Sequence, residues 1–469
     1  MSLLNYFVFA SYLILSFLAA GHALILKKDP RSAMGWIAIC FVFPVFGPLC
    51  YLLFGINRIQ IAAGKLNIQS AQLDCPHPCN HAQVAEVSYH FQGQFITARQ
   101  ISGVNLLRHN MVQMLVNGDA VYPRMLESIA AARKYIYLST YIYENNEFGR
   151  TLAQALSAAR QRGVKVLVLL DGVGQLYSFP GLCNMLRRAD IPFATFLPPR
   201  LLPPSLYINL RNHRKILVVD GTQCFTGGMN IGDSNLSSTG PRVCDVHFYL
   251  RGPVVSQVEG VFLRDWQFAT GNVVAHEDQV CADARYGQAL CRVVADGPNN
   301  PMSRLSLILV SAVNTARNKI RIMTPYFLPP RELIGALQAA ALRGVEVSII
   351  LPAKNNLPFM TWATRHMLWE LLQRGVQVYM QPPPFHHSKI FIADDQYCLV
   401  GSANIDARSL RLNFEMNVEI YDPCLSADLD IFCDEAIKKS RPCTFAEVES
   451  RSLPAKMRDG FFWLFGPYL

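Results

Sequence analysis

The amino-acid sequence predicts an α/β protein in which two similar α/β/α halves pack around one site, preceded by an N-terminal transmembrane helical hairpin. Three observations support this prediction. The chain of 469 residues is too long for one ordinary core, its later part repeats a β-α-β pattern, and its beginning is strongly apolar. The predicted boundaries are 1–56 for the hairpin, 57–107 for a polar connector, 108–290 and 291–450 for the halves, and 451–469 for an aromatic tail.

Two apolar segments predict the hairpin. The first uncharged run extends from Leu3 to Leu26, which is longer than the ~20 helical residues that cross a hydrocarbon core. The second extends from Met34 to Phe54 and is interrupted by prolines and a glycine, so it is either a second span or a re-entrant segment. A cleaved signal peptide is disfavoured, because the start lacks a basic region and another apolar run follows at once.

The composition indicates a membrane and an anionic partner. Hydrophobic residues make up 51% of the chain and charged residues 16%, well below the usual quarter. The net charge of +9 fits either nucleic acid or an acidic lipid surface. The 13 scattered cysteines favour a reducing compartment, and therefore a large domain on the cytoplasmic face. The basic loop between the apolar runs favours the opposite orientation.

A short segment, "CPHPCNH", is the one candidate metal cluster. It places Cys75, His77, Cys79 and His81 within seven residues. The spacing matches no common zinc pattern, so a proline-stiffened linker is the preferred interpretation and no metal is expected.

An internal repeat defines the two halves. The first half contains "IAAARKYIYLSTYIY" followed by "ARQRGVKVLVLLDG", and the second contains "VNTARNKIRIMTPYF" followed by "AALRGVEVSIILPA". In each half a helix leads to a strand, a second helix and another buried strand, a pattern typical of a helix-covered α/β sheet.

Each half ends in the same motif, H-x-K, four residues, D, six residues, then G-[GS]-x-N. Two copies in register within a duplicated chain indicate a functional motif, whereas a lone histidine or H-x-K would usually be structural. The first copy comprises His213, Lys215, Asp220, Gly227, Gly228 and Asn230, and the second comprises His387, Lys389, Asp394, Gly401, Ser402 and Asn404.

The residue types of the motif indicate phosphodiester chemistry. On a strand, residues two apart point to one face, so each histidine projects together with its lysine. One imidazole can attack phosphorus while the other protonates the leaving alcohol. The two ammonium groups can neutralise the phosphate oxygens without a metal. Close backbone approach at Gly228 and polar groups of Asn230, Ser402 and Asn404 predict further phosphate contacts.

The paired motifs resemble the signature of the phospholipase D superfamily over about residues 108–450. The resemblance implies that His213 is the nucleophile and His387 the general acid and base. It also implies that Asp220 and Asp394 hold the motif rather than touch substrate. Asp245 and Glu415 stand where the family's histidine-orienting carboxylates occur.

Within the superfamily the chain is most similar to bacterial cardiolipin synthases. The two amino-terminal apolar runs, "TPYFLP", "GGMNIGD" and "GSANIDARSLRLNFE" carry this resemblance. The family's "F-x-H-x-K" stands here as "FHHSK", so His386 is either a packed neighbour or an extra donor.

The resemblance implies phosphatidyl transfer between two phosphatidylglycerol molecules through a phosphatidyl-histidine intermediate, without a cofactor. The expected partners are phosphatidylglycerol, other anionic phospholipids and the bilayer of a bacterial inner membrane, and no nucleic acid is expected. Two alternatives stay open: a phospholipase D-type hydrolase and a membrane-tethered nuclease. The aromatic tail "DGFFWLFGPYL" predicts either an interfacial segment or a core-packing one.

Overall fold

The computed structural model describes residues 3–27, 30–55, 81–178, 181–199, 210–239, 243–275, 285–298 and 303–466. The chain divides into two compact units, Met1–Lys65 and Leu66–Leu469. Cys75, His77 and Cys79 of the candidate metal cluster lie outside the described residues.

The smaller unit is helical, and its second apolar run is not one span. Its elements are α1 (Leu3–Leu26), α2 (Pro30–Val42), α3 (Phe46–Cys50) and a π-helical turn (Tyr51–Gly55). Of the two alternatives for this run, a second span or a re-entrant segment, a continuous helical span does not form, because the helix ends before Pro44 and 13 residues rise only ~20 Å. Within the described part of the chain, no helix combines the length and the apolar character needed to traverse a bilayer.

In the described part of the larger unit, one sheet of 15 strands forms the framework. A separate two-stranded sheet pairs β13 with β7. The strands are β1 (Leu107–Val116), β2 (Tyr135–Thr140), β3 (Lys165–Asp171), β4 (Phe193–Phe196), β5 (Ile216–Val219), β6 (Gln223–Gly227), β7 (Val243–Cys244), β8 (Val246–Arg251), β9 (Ala289–Asp296), β10 (Lys319–Met323), β11 (Glu346–Pro352), β12 (Gln377–Gln381), β13 (Phe385–His386), β14 (Ile390–Ala393), β15 (Tyr397–Gly401), β16 (Glu415–Tyr421) and β17 (Arg441–Cys443).

The strand order shows the duplication. The order β4-β3-β2-β5-β6-β8-β1 in the first half is mirrored by β12-β11-β10-β14-β15-β16-β9 in the second, with β17 added at one edge. The two halves meet where β1 and β9 pair antiparallel. In the first half β2 and β3 pair parallel, and the motif strand β5 pairs antiparallel with β2. In the second half β10 and β11 pair parallel, and the motif strand β14 pairs antiparallel with β10. The predicted α/β architecture with two similar halves is therefore confirmed.

Helices cover the sheet and enclose two apolar cores, one in each half. The first core is built around residues such as Ile136, Val168 and Leu217, and the second around Ile320, Ile349 and Phe391. The helices of this unit are α4 (Gln92–Ser102), α5 (Asn117–Ala131), α6 (Glu147–Gln161), α7 (Gly181–Arg188), α8 (Val254–Thr270), α9 (Arg304–Thr315), α10 (Arg331–Leu342), α11 (Pro358–Leu372), α12 (Ala407–Arg411), α13 (Pro423–Lys439), α14 (Phe445–Glu449) and α15 (Leu453–Leu464).

Two segments outside the predicted halves belong to the second core. In the predicted connector, α4 buries Phe95 and Ala98 against that core, so this part is not a patternless linker. In the predicted tail, Phe462 and Trp463 of α15 pack partly buried against the same core. The opposite side of α15 leaves Phe461 and Leu464 exposed. The tail is thus half core packing and half exposed apolar surface.

Candidate active site

The first motif histidine is positioned by a contact with the second half. Asn212 forms a parallel bridge with Phe414, and the backbone N–H of His213 donates to the carbonyl of Phe414 at 2.9 Å. This pairing brings the next residue of each segment together. Nδ1 of His213 lies 3.0 Å from Oε1 and 3.1 Å from Oε2 of Glu415.

The second motif histidine is positioned in the same way by the first half. Strand β13 pairs parallel with β7, with His386 opposite Cys244. The backbone N–H of His387 donates to the carbonyl of Cys244 at 2.7 Å, and its Nδ1 lies 2.8 Å from Oδ2 of Asp245. His386 is therefore a strand residue that helps to align His387, and burial lowers its pKa to about 4.

The carboxylates thus cross between the halves. The sequence identifies Asp245 and Glu415 as candidate partners, but it does not show that Asp245 serves the histidine of the other half. Both carboxylates are almost fully buried. A carboxylate on Nδ1 fixes the tautomer that leaves Nε2 free to react, and it stabilises the imidazolium ion.

The two motif lysines lie beside the histidines, as the strand alternation predicts. Nζ of Lys215 donates to the carbonyl of His213 at 2.7 Å, and Nζ of Lys389 donates to the carbonyl of His387. The side chain of Arg214, between His213 and Lys215, points away and pairs with Asp265. Both lysines are buried and lie within electrostatic range of each other.

Burial and mutual charge set the protonation states of the site. Burial, opposed by Glu415 and reinforced by Lys389, lowers the pKa of Lys215 to about 7. Burial likewise lowers the pKa of Lys389 to about 8. Burial and the Lys389 charge lower the pKa of His387 to about 4 despite Asp245, and burial also lowers the pKa of His213.

The two carboxylates remain ionised in this surrounding. Burial alone would raise the pKa of Asp245, but the hydrogen bond and charge of His387 outweigh it and lower the value. The pKa of Glu415 is lowered in the same way, because the charge and hydrogen bond of His213 and the charge of Lys215 overcome burial. An anion that enters the site would stabilise the protonated forms of the lysines and histidines and so raise their lowered pKa values.

The motif aspartates lie at the far ends of the motif strands. Asp220 accepts hydrogen bonds from the backbone N–H groups of residues 133–135 at 2.8–2.9 Å. Asp394 accepts from residues 317–319, with shortest contacts of 2.8–3.0 Å. Both have left-handed backbones, with φ of 50° and 53°. Their contacts fasten the turn after the motif strand to the start of the neighbouring strand.

The G-[GS]-x-N segments contact the orienting carboxylates. A Cβ on Gly228 would lie 2.5 Å from both Asp245 oxygens, so only glycine leaves room for them. At the equivalent position the hydroxyl of Ser402 donates to Oε2 of Glu415. The predicted phosphate contact of Ser402 is not supported by this geometry, because its one hydroxyl proton is already committed.

The two motif asparagines differ in their surroundings. The amide oxygen of Asn230 accepts from the backbone N–H of Ile142 at 3.3 Å, which leaves its NH₂ group for a ligand. Asn404 is buried and lies in a small cleft with Lys389 and Asn417. Phosphate binding by Asn230 and Asn404 stays a prediction.

Two tyrosines outside the H-x-K motifs complete the site. The ring of Tyr141 lies 5.2 Å from the imidazole of His213 and 5.5 Å from Nζ of Lys215. The ring of Tyr326 lies 6.5 Å from the imidazole of His387. They occupy equivalent positions in "STYIY" and "TPYFL". A tyrosine repeated at the same place in both halves is therefore the sequence feature that indicates them.

The arrangement supports a two-step substitution at phosphorus. Each histidine has its Nδ1 held by a carboxylate, and the lysines supply positive charge where phosphate oxygens would lie. Among the residues that the structure describes, no group of His, Cys, Asp and Glu is arranged to hold a metal ion. The two histidines, their carboxylates and the two lysines are of the types that supply nucleophile, acid, base and charge stabilisation.

Known protein families match most of the chain, including both halves of the site. The family described as "Cardiolipin synthase, PLD-like domain" matches residues 125–266 and 309–434, and the family "Phospholipase_D-nuclease N-terminal" matches residues 14–55. Phosphatidylserine synthase of Haemophilus influenzae shares the fold, with a TM-score of 0.63 and 17% identity over 80% of this chain and 100% of that chain.

Full-length relatives agree with the family match. Cardiolipin synthase 2 of Bacillus anthracis is 31% identical over 94% of this chain and 88% of its own length. The major cardiolipin synthase of Bacillus subtilis is 30% identical over 94% of this chain and 95% of its own length. Cardiolipin synthase A of Serratia proteamaculans is 31% identical over 94% of each chain. With two intact motifs and matches that span both halves, this chain belongs to the cardiolipin synthase family of the phospholipase D superfamily.

Proposed function

We propose that the protein is a phosphatidyltransferase that makes cardiolipin and glycerol from two molecules of phosphatidylglycerol. The observation that carries the proposal is the crossed pair of hydrogen bonds, His213 to Glu415 and His387 to Asp245. These bonds hold two histidines in one site, each with its Nδ1 against a buried carboxylate. The likeness to cardiolipin synthases over 94% of the chain selects this reaction among phosphodiester chemistries.

In the first step, Nε2 of His213 attacks the phosphorus of one phosphatidylglycerol. The bond from phosphorus to the glycerol headgroup oxygen breaks. His387, whose low pKa is raised by the bound phosphate anion so that it carries a proton, gives that proton to the leaving oxygen. A phosphatidyl-histidine forms and glycerol leaves. Lys215 and Lys389 stabilise the negative charge on the non-bridging oxygens, and Glu415 stabilises the cationic His213.

In the second step, His387 removes the proton from a headgroup hydroxyl of a second phosphatidylglycerol. That hydroxyl attacks the phosphorus, the bond to His213 breaks, and cardiolipin is released. One phosphodiester replaces another, so no nucleotide is consumed. Water in place of the lipid hydroxyl would give phosphatidic acid, so the site must disfavour water at this stage.

The proposed location is the bacterial cytoplasmic membrane, with the larger unit on the cytoplasmic face. The support is the uncharged apolar run Leu3–Leu26 of the sequence, the ten described cysteines that are all free, and a substrate that resides in a bilayer. Asp220 and Asp394 are proposed to hold the site together without touching substrate, since their oxygens accept backbone hydrogen bonds.

The test is to incubate the purified full-length protein with phosphatidylglycerol vesicles and analyse the lipids by mass spectrometry. We expect cardiolipin with equimolar glycerol, and neither product from His213→Ala. Phosphatidic acid as the main product would identify a hydrolase instead. Cleavage of DNA without cardiolipin, with affinity that falls steeply with salt, would identify a nuclease.

A further inference from the structure

A pair of arginines lies next to the His213 side of the site. Arg211 precedes His213 by two residues on an extended segment. Asn212 and Arg214 of this segment both bond to Asp265, so they share one face. By alternation Arg211 lies on the opposite face, together with His213 and Lys215.

Arg408 reaches the same place from the second half. Its carbonyl accepts from the backbone N–H groups of Leu412 and Asn413 at 2.9 and 3.0 Å. The next residue, Phe414, donates its N–H to the carbonyl of Arg211 at 2.8 Å. The backbones of the two arginines thus form hydrogen bonds with adjoining residues of one short segment. Both arginines also interact electrostatically with Tyr141, whose ring contacts His213.

The positive charge of this pair is poorly compensated. The side chain of Arg211 donates to the carbonyl of Leu210 at 3.3 Å, and among the described residues no carboxylate forms an ion pair with either guanidinium. Asp406 is the carboxylate that acts electrostatically on Arg408. It accepts from the N–H of Ser409, and burial raises its pKa to about 7. Burial and the charge of Arg211 lower the pKa of Arg408. Asp171 acts electrostatically on Arg211, but its oxygens accept the backbone N–H groups of Gly174 and Asn212. Two like charges held together with no carboxylate in ion-pair contact among the described residues indicate a place for an anion.

The pair breaks the internal symmetry of the site. Aligning the motifs places Phe385 opposite Arg211, and Ser234 opposite Arg408. The equivalent place beside His387 therefore has an aromatic ring and a hydroxyl instead of two guanidinium groups. Among the described residues, the two halves supply matching catalytic groups, and the arginine pair lies on the His213 side alone.

The proposed reaction needs such a second site. The two lysines serve the phosphate under attack, while the acceptor phospholipid carries a phosphodiester of its own, one glycerol unit from its attacking hydroxyl. Guanidinium groups bind phosphate oxygens in a bidentate manner. We propose that Arg211 and Arg408 bind the phosphodiester of the acceptor phospholipid, so that an anionic lipid hydroxyl is preferred over water or a free alcohol. This inference rests on the proposed function.

The experiment separates acceptor binding from catalysis by offering two acceptors at once. The full-length protein is incubated with phosphatidylglycerol vesicles and isotope-labelled glycerol. Transfer to the second lipid yields cardiolipin, while transfer to free glycerol yields labelled phosphatidylglycerol. Both products need the donor site and the histidines, but only cardiolipin formation needs a site for a second phosphate.

We expect Arg408→Gln and Arg211→Gln to reduce cardiolipin formation by about 10- to 100-fold, the effect of losing charge-assisted hydrogen bonds. Glycerol exchange should stay close to that of the unaltered protein, and Arg408→Lys should retain part of the cardiolipin activity. Arg411→Gln, an exposed change on the same α12 helix, is the matched control and should alter neither product.

Two results would overturn the inference. Equal loss of both products in Arg408→Gln, with an unchanged melting temperature, would assign the arginine to the donor phosphate or to catalysis. Unchanged cardiolipin formation would show that the pair binds no acceptor. If the unaltered protein exchanges glycerol but makes no cardiolipin, the proposed function itself fails, and the acceptor assignment fails with it.

Discussion

Nδ1 of His213 and Oε1 of Glu415 lie 3.0 Å apart, although 202 residues separate them in the chain. Glu415 also receives a hydrogen bond from Asn413 at 3.1 Å and one from the hydroxyl of Ser402. Every oxygen of this buried carboxylate therefore has a donor, and its orientation is fixed before substrate binds.

Replacement of Glu415 by glutamine should reduce kcat with little change in KM. Glutamine keeps the shape but lacks the charge, and its NH₂ group facing Nδ1 favours the wrong imidazole tautomer. By analogy with other histidine–carboxylate pairs, we expect a loss of about 10²- to 10⁴-fold, measured as initial rates of cardiolipin formation. Glu435→Gln, an exposed change in α13, is the control. An unchanged kcat in Glu415→Gln would contradict the orienting role.

The rate at limiting substrate should fall as pH rises through about 7 to 8. The lowered pKa values of Lys215 and Lys389, about 7 and 8, mean that their charge is complete below this window and lost above it. The anionic substrate needs that charge to bind, and once bound it raises both values. We therefore expect kcat/KM to decline at a lower pH than kcat. Thermal unfolding across the same pH range controls for denaturation, and a flat kcat/KM up to pH 10 would exclude the role of the lysines.

Gly228→Ala should inactivate the protein by displacing Asp245. The added Cβ would lie 2.5 Å from both carboxylate oxygens, closer than any stable contact, so the carboxylate must move away from His387. Gly335→Ala is the matched control, because its Cβ meets nothing within 4 Å and the site is an exposed helix interior. That control should stabilise the protein by about 1 kcal/mol. Full activity of Gly228→Ala would show that the carboxylate is dispensable.

Replacement of Asp220 should affect stability more than chemistry. Asparagine tolerates the left-handed backbone, whereas alanine combines strain at φ of 50° with the loss of three hydrogen bonds. We expect Asp220→Ala to lose about 1–3 kcal/mol of unfolding free energy and Asp220→Asn to lose less. Activity per folded molecule should persist in the asparagine variant, as followed by denaturant titration alongside the lipid assay. A stable but inactive asparagine variant would point to a direct catalytic role.

The internal repeat allowed much of the fold to be predicted. The segments "KYIYLST" and "KIRIM" contain strands β2 and β10. Like the motif strands, they are apolar, β-branched runs, and their pairing with β3 and β11 is the same in both halves. Helix α4 was missed, although Phe91, Phe95 and Ala98 have helical spacing, because the surrounding segment is polar. The sequence left a second span or a re-entrant segment open for the second apolar run, and the structure ends its first helix at Val42, before Pro44.

The sequence also identified the chemical groups of the site but not their partners. The spacing of His213 and Lys215 follows from strand alternation, which is local. The pairing of His387 with Asp245 depends on β13 lying beside β7, a contact between segments 142 residues apart. Likewise, the meeting of Arg211 and Arg408 depends on the bridge between Asn212 and Phe414. Such contacts are decided by the packing of the two halves, which no local pattern specifies.

The exchanged carboxylates also constrain how the chain is made. When the first half leaves the ribosome, Asp245 has no imidazole to meet until residue 387 has been synthesised. Removing one partner of a buried charge pair costs about 3–5 kcal/mol, so the first half alone lacks a substantial part of the stability of the complete site. Each half therefore completes its folding only when the other half is present. A chain truncated between the halves should remain a chaperone client rather than a small folded protein.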